Sequence, residues 1–242
     1  MRLPDNAHFS RPWRIHEIAP DFRLEDVWAL PTPGGPDDFP RLMQLATSLD
    51  PAQSSSTAVR ALFAIRWKVG GIFGWDDEET GLDSRVPTLR DRLPPDLRDG
   101  PTGPAPDALP FTPLYLTDDE FAAEIANGTM HGVLHLGWVP DESGGYRGQM
   151  AVLVKPNGLL GTVYMAAIKP FRYLIVYPAL MREIGRDWQA LATHPAPANA
   201  DAARLGYSHD VRYSWPGLAA KSGLWHPSRL RRRNRGDRRG PC

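Results

Sequence analysis

Hydrophobic and polar positions in the central part of the chain predict strands followed by a helix. Apolar runs at 131–139, 149–155 and 161–168 have the length of strands. Turn residues separate them, with two glycines at 144–145 and a Pro-Asn-Gly sequence at 156–158. We therefore predict three central strands of an antiparallel sheet.

A long helix is predicted directly after these strands. Apolar residues between Phe171 and Leu191 recur at helical spacing, and Pro170 suits the first turn of a helix because its missing N–H is harmless there. Pro178 lies inside this run and is expected to kink the helix. The alternative is that residues 171–177 form a further strand and that the helix begins at Pro178.

A second helix is predicted over residues 54–73. Its apolar positions recur at steps of three and four and form one stripe: Ala58, Leu62, Ile65, Val69 and Ile72.

The remaining segments have weaker patterns. Residues 13–30 predict one or two strands, and a short helix is expected from Phe39, behind two aspartates. Residues 111–126 predict a hairpin around 118–119, whereas the Pro/Gly/Asp-rich residues 76–110 are expected to run over the surface.

Charge divides the chain into a body and a tail. Basic and acidic residues number 28 each, so the overall charge does not indicate a nucleic acid or acidic partner. Residues 195–242 are linker-like and then arginine-rich, and no aromatic residues alternate with the arginines of 229–239 to stack on bases. We predict a folded domain over 1–194, a low-complexity tail over 195–242, and no specific nucleic-acid binding.

Several classes of protein are disfavoured by the sequence. The single cysteine, Cys242, allows no intrachain disulfide. The first residues lack the apolar core of a secretory signal, and no apolar run approaches the ~20 residues that span a bilayer. Neither a GxGxxG motif nor a phosphate loop is present, so no cofactor is predicted. A cytoplasmic protein without a membrane span is the expectation.

Whole segments of the chain resemble domain-of-unknown-function family 2867, which is grouped with the START/polyketide-cyclase-like (SRPBCC, helix-grip) superfamily. They include RALFAIRWKVGGIFGWD, TMHGVLHLGWVPDESGGYRGQMAVLVKPNGLLG and YMAAIKPFRYLIVYPALMREI, and the resemblance covers roughly residues 10–192. It implies an α+β helix-grip fold, in which a curved antiparallel sheet wraps around a long C-terminal helix and two helices are inserted after the first strand. It implies no particular reaction.

A helix-grip scaffold often encloses a cavity between sheet and helix, so residues that would line this cavity are the candidates for a binding site. His131 and His135 face the same side of a predicted strand, but four residues span about 13 Å along it, which is too far to share a metal ion. No metal site is therefore predicted. We expect the histidine side, rather than the side of Leu136 and Trp138, to line the cavity with the C-terminal helix. The predicted ligand-binding residues are His131, His135, Tyr115, Tyr164 and Arg172.

The leading functional hypothesis is binding of a small apolar or amphipathic molecule. One alternative is a cyclase/aromatase-type enzyme on the same scaffold, with its acid–base groups drawn from the five residues above. The other is a non-catalytic interaction module whose core is filled by its own side chains. Residues 149–155 and 161–168 are apolar on both faces, so a homodimer that covers one face is also possible.

Overall fold

The computed structural model describes residues 1–48, 55–57, 60, 82, 86–105 and 109–193. These residues form an α+β fold around one antiparallel sheet of six strands, in the order β1-β2-β6-β5-β4-β3. The strands are β1 (Arg2–Leu3), β2 (Arg23–Ala29), β3 (Thr112–Leu116), β4 (Glu120–Ala126), β5 (Met130–Pro140) and β6 (Tyr146–Pro156).

Helices cover both faces of the sheet. The shorter ones are α1 (Asn6–Phe9), α2 (Ile15–Ile18), α3 (Phe39–Ser48), a 3₁₀-helix (Leu89–Arg92) and α4 (Pro95–Arg98). The C-terminal helix runs through three consecutive parts: α5 (Gly158–Phe171), a π-helical turn (Arg172–Val176) and α6 (Tyr177–Thr193).

Two of the three predicted central strands are confirmed. β5 and β6 pair along their whole lengths, and Gly144 adopts a φ of 84° in the turn between them. The predicted hairpin around 118–119 is also present as β3 and β4, and the short helix expected from Phe39 is α3.

The prediction of a third central strand at 161–168 is wrong, because these residues belong to α5. The chain turns after Pro156 not into a hairpin but into a helix, with Gly158 at a φ of 68°. Gly161 then lies so close to the 127–130 turn that a Cβ there would sit 2.0 Å from the backbone oxygen of Thr129. A short apolar run fits a strand or a helix equally well, so its pattern did not distinguish the two.

The C-terminal helix therefore begins at Gly158 rather than at Pro170. Residues 171–177 are helical, so the alternative strand there is also wrong. The π-helical turn ends immediately before Tyr177 and Pro178. Proline cannot donate the next helical hydrogen bond and its ring crowds the preceding turn, and a π-helical turn relieves both problems without ending the helix.

Only part of the N-terminal prediction is strand, because residues 15–18 are helical and 23–29 form β2. Most of the helix predicted over 54–73 lies outside the described residues, although Thr57 and Arg60 within it are helical. The tail from residue 195 onward also lies outside the described part.

The sheet has two buried faces, which we name by what they carry. The histidine face bears His131 and His135 and packs against α2, the 3₁₀-helix and α4 through Ile15, Ile18, Leu89, Leu93 and Leu97. The helix face bears Leu136 and Trp138 and packs against α3 and α6 through Phe39, Leu42, Tyr177, Ile184 and Trp188.

Candidate functional site

The two predicted histidines lie on the histidine face, as strand alternation requires. Both are buried, and aromatic rings of the N-terminal residues cover them: Phe22 lies 4.9 Å from His131 and Trp13 lies 5.1 Å from His135, centroid to centroid. The C-terminal helix packs on the opposite face. The prediction that both histidines share a pocket with that helix is therefore wrong, because Leu136 and Trp138 face it instead.

His131 forms a buried pair with a glutamate of the neighbouring strand. Its Nε2 lies 2.8 Å from Oε2 of Glu124, which is fully buried. The same carboxylate accepts hydrogen bonds from the hydroxyl of Thr88 and from the backbone N–H of Leu89, at 3.0 Å. The pair thus fastens the start of the 3₁₀-helix to the sheet.

His135 forms an equivalent pair with Glu120. Its Nε2 lies 3.0 Å from Oε1 of Glu120, and the hydroxyl of Tyr115 donates to the same oxygen. The backbone N–H groups of Arg14 and Ile15 donate to this carboxylate at 3.0 and 3.1 Å, so Glu120 binds the start of α2.

Two further histidines extend this second pair toward the surface. Nδ1 of His135 lies 3.3 Å from Nε2 of His8, and Nδ1 of His8 lies 3.0 Å from Nε2 of His16. His8 and His135 are fully buried, whereas His16 is half-buried. Three imidazoles and a carboxylate therefore form one continuous hydrogen-bonded chain.

Burial controls the protonation of this chain. It lowers the pKa of His8 to about 3, and the neighbouring His135 and His16 act in the same direction. Burial also lowers the pKa of His16. Burial alone raises the pKa of Glu120, but the hydrogen bond and charge of His135 together with the other donors outweigh it and hold that pKa below its usual value. His8 and His16 are therefore neutral at pH 7, and the chain ends on an ionised carboxylate.

A second polar cluster lies on the helix face, where β2 meets the C-terminal helix. Asp26 is fully buried there and accepts three hydrogen bonds. The donors are Nη2 of Arg172 at 2.7 Å, the hydroxyl of Tyr177 at 2.9 Å and the indole N–H of Trp28 at 3.2 Å.

Both elements that build this cluster depart from regular geometry. The register of β2 against β6 shifts between Leu24 and Asp26, which marks a bulge. The extra residue turns Asp26 to the helix face, whereas simple alternation would place it on the same side as Leu24. Arg172 lies at the start of the π-helical turn. Bulges and π-helical turns are frequent at functional sites, because each re-aims a side chain that a regular element would direct elsewhere.

The charges of this cluster are balanced inside the protein. Burial raises the pKa of Asp26, and the charge of Arg172 opposes that rise. Burial alone lowers the pKa of Arg172, but Tyr177 and Asp26 outweigh it and raise the pKa above its usual value. Burial also raises the pKa of Tyr177. Arg172 is therefore a permanent cation with Asp26 as its partner.

The Asp26 cluster lies within a segment of the chain that matches a known protein family. A family described as "Protein of unknown function (DUF2867)" matches residues 18–179. The chain belongs to this family. No curated protein and no solved structure matches the chain. The DUF2867 segment includes Asp26, Glu120, His135 and Arg172, whereas His8 and His16 precede it.

The predicted site residues of this DUF2867 protein fall into separate places. His131, His135 and Tyr115 are all buried on the histidine face. Arg172 belongs to the cluster on the helix face, and Tyr164 lies within α5. The structure therefore does not bring the five together, and whether any of them binds a ligand stays a prediction.

Sequence reasoning missed Asp26, Glu120 and His8. One available signal was spacing, since Glu120 and Glu124 are four apart on β4, as are His135 and His131 on the antiparallel β5. Two matched pairs follow from that register. Asp26 had no such signal, because its orientation depends on a bulge.

Two cavities lined by described residues lie near the start of α5. One, of about 340 Å³, is lined by Val86, Gly128, Asn157 and Gly158. The other, of about 230 Å³, is lined by Asp21, Arg23, Val154, Lys155, Pro156, Gly158 and Thr162. Neither is lined by a residue of the histidine chain or of the Asp26 cluster.

The described residues hold no group of three or more His, Cys, Asp or Glu side chains placed to bind a metal ion. Among them, no helix combines the length and the apolar character needed to cross a membrane.

Proposed function

We propose that this DUF2867 protein binds a small amphipathic anion where β2 meets the C-terminal helix. The proposal rests on the hydrogen bonding of the Arg172 guanidinium. Its Nη2 holds Asp26 and Tyr177, whereas its Nε and Nη1 have no hydrogen-bond partner among the described residues. The side chain is 15% exposed, so the remaining donors of a preoriented guanidinium are accessible from the surface.

The surroundings of Arg172 favour a negatively charged group. The guanidinium of Arg2 lies 4.7 Å and Nζ of Lys169 lies 5.9 Å from the ring centroid of Tyr173, the next residue along the helix. Residues 143–182 contain no acidic residue. Three cations thus surround the junction against the two carboxylates of Glu25 and Asp26, which leaves one positive charge for a ligand.

The same helix offers a surface for an apolar body. Among the described side chains of this helix, four large apolar ones are 52–81% exposed: Leu159, Val163, Phe171 and Leu174. Phe171 and Leu174 flank Arg172 and Tyr173 in the sequence. In this proposal, a carboxylate or phosphate binds at Arg172 and its apolar body lies against these exposed side chains.

The strand order supports a helix-grip relationship as part of this proposal. The first long strand, β2, pairs with the last one, β6, and the chain passes from β6 directly into the helix that packs on one face. We propose on this basis that the domain is a member of the START-like superfamily, with its ligand at the edge of the sheet–helix interface.

Dodecanoate binding tests the proposal. Native mass spectrometry of the purified protein first identifies any molecule that copurifies, and calorimetric titration with dodecanoate then compares the wild type with two variants. Arg172→Gln removes the cation, and Leu174→Ser removes an exposed apolar contact without disturbing the core. We expect each to weaken binding about tenfold, and Arg182→Gln, an exposed arginine of α6, to have no effect.

Two results would contradict the proposal. One is a wild type that shows no saturable binding of dodecanoate and carries no copurified anion. The other is unchanged affinity in both the Arg172 and the Leu174 variants.

A non-catalytic interaction module is the second candidate. The observation that favours it is the dense packing of the sheet–helix interface, where Trp138 and Trp188 lie 5.9 Å apart and Trp28 and Tyr177 lie 4.6 Å apart, centroid to centroid. In that case the exposed apolar side chains of α5 would contact another protein rather than a small molecule.

A further inference from the structure

The histidine chain joins the sheet to a segment that, apart from Ile18, precedes the family match. Residues 6–18, here called the latch, comprise α1, α2 and the turn between them. We propose that protonation controls the position of the latch. The latch covers the histidine face at neutral pH and dissociates from it when His8 and His16 are protonated.

Polar contacts with the sheet hold the latch in place. His8 is hydrogen-bonded to His135, and the backbone N–H groups of Arg14 and Ile15 donate hydrogen bonds to the carboxylate of Glu120. Nε2 of Gln149 on β6 also donates to the backbone oxygen of Ala7, at 3.1 Å. Most of these contacts converge on Glu120 and its chain of imidazoles, so the protonation state of that chain determines whether they persist.

His8 lies between the two other imidazoles of the chain. An ionised carboxylate can only accept, so His135 donates to Glu120 from Nε2. Both ring nitrogens of His8 face another imidazole nitrogen, at 3.3 Å on His135 and at 3.0 Å on His16, so a neutral His8 donates at one of them and accepts at the other. Only Nδ1 of His16 is left without a partner among the described residues.

Full protonation is incompatible with this arrangement. If His8 and His16 both carried a second proton, Nδ1–H of His8 and Nε2–H of His16 would point at each other across 3.0 Å. The charge on His8 would also be fully buried. Two donors face to face repel, and an unsolvated charge is costly. Once the latch is released, both imidazoles are in water and protonate freely.

The other charged groups near the histidine chain do not stabilise the positive charge that a second proton would place on His8 or His16. Glu120 favours charge on the imidazoles, but it already accepts from His135, Tyr115 and two backbone N–H groups. The guanidinium of Arg14 is engaged by Asp96 at 2.7 Å and by Glu17 at 3.8 Å, so those two carboxylates serve Arg14 rather than a histidine.

The pKa directions agree with the geometry. Burial holds the pKa of His8 at about 3 and also lowers the pKa of His16, whereas released histidines titrate near about 6.5. Between about 6.5 and about 3 a released His8 binds a proton that the covered His8 does not, so acid favours release. Release uncovers His135, Glu120 and Tyr115, which belong to the family-matched sheet.

Hydrogen exchange of the full chain tests the latch. Exchange of peptides within residues 6–18 is measured by mass spectrometry at pH 7.5 and pH 5.5, with rates corrected for the intrinsic effect of pH. Peptides from the β5–β6 hairpin are the internal control. We expect latch exchange to rise at least about tenfold at the lower pH, while the hairpin stays protected.

Two variants distinguish the effect of histidine protonation from a general weakening of the contacts between latch and sheet. His8→Gln keeps a donor and an acceptor but cannot titrate, and His16→Gln, at a half-buried position, is the milder change. In either variant the ratio of latch exchange between the two pH values should shrink, whatever its absolute level. The proposal is overturned if wild-type latch exchange does not depend on pH, if the hairpin opens equally, or if His16→Gln keeps the full pH ratio.

Discussion

Glu120 and Glu124 lie four residues apart on β4 and repeat one arrangement on the histidine face. Each carboxylate accepts a hydrogen bond from a histidine of β5 and from the backbone N–H at the start of a short helix. Both histidines are diagonal neighbours, because His135 is opposite Ala122 and His131 is opposite Ala126. The two glutamates therefore fasten separate surface segments to one sheet.

Replacing Glu120 should strongly destabilise the protein. Glu120→Gln introduces an amide N–H₂ among four donors and leaves at least one of them unpaired in a buried place. We expect the free energy of unfolding to fall by about 3 kcal/mol in chemical denaturation. Glu17→Gln is the matched control, since that side chain is 72% exposed, and should change it by less than about 0.5 kcal/mol. If Glu120→Gln lowered the free energy of unfolding by less than about 1 kcal/mol, the negative charge of Glu120 would not be what stabilises the network.

Acid should lower global stability through His8. Its pKa is about 3 when folded and near 6.5 when unfolded, so between these values only the unfolded state binds the proton. The stability contributed by neutral His8 is therefore lost as pH falls through about 6.5, and it amounts to about 1.3 kcal/mol between pH 7.5 and pH 5.5.

Comparing the wild type with His8→Gln isolates this contribution. Asp26 acts with the opposite sign, because its raised pKa adds stability as pH falls through the folded value. Asp26 is present in both proteins, so the difference between their two pH dependences belongs to His8. Parallel dependences in urea titrations would show that the pKa of His8 is the same in the folded and the unfolded protein, which would contradict the prediction.

The buried side of the C-terminal helix can be checked by two truncations. Ile184 is buried against α3 and the helix face, so Ile184→Ala should cost about 2–5 kcal/mol. Leu174→Ala, on the same helix but 77% exposed, should cost less than about 0.5 kcal/mol. Equal losses would place the wrong side of the helix against the sheet.

Gly161 should not tolerate a side chain if residues 158–171 are helical. A Cβ there would meet the backbone oxygen of Thr129, which cannot move aside as a flexible side chain can. We expect Gly161→Ala to lower the melting temperature and to cost about 1–3 kcal/mol. Gly185→Ala meets only the ring of Pro31 at 3.3 Å and should be near neutral, because alanine also favours the helix. A neutral Gly161→Ala would contradict the close contact between α5 and the turn.

Local patterns were enough to predict much of the fold. The β5–β6 hairpin follows from apolar runs around a Gly-Gly turn, and the β3–β4 hairpin from a polar break. The prediction of a strand at 161–168 failed because GTVYMAAI carries β-branched residues and no clear period, so its pattern fits a strand and a helix alike.

The candidate site was harder to predict than the strands. Alternation correctly placed His131 and His135 on one side, but both faces of the sheet are buried, so it did not show which one meets the helix. Asp26 reaches Arg172 only through a bulge in β2 and a π-helical turn before Pro178. Such irregularities arise from tertiary packing and leave no periodic signal in the sequence.

The location of a bound amphipathic anion tests the central claim most directly. The protein is irradiated with a diazirine-bearing dodecanoate, digested and mapped by mass spectrometry, with unlabelled dodecanoate as competitor. We predict competed labelling on residues 169–182, around Arg172, Tyr173 and Leu174. Competed labelling on β5 instead, or labelling that the competitor does not reduce, would contradict binding at the junction of β2 and the C-terminal helix.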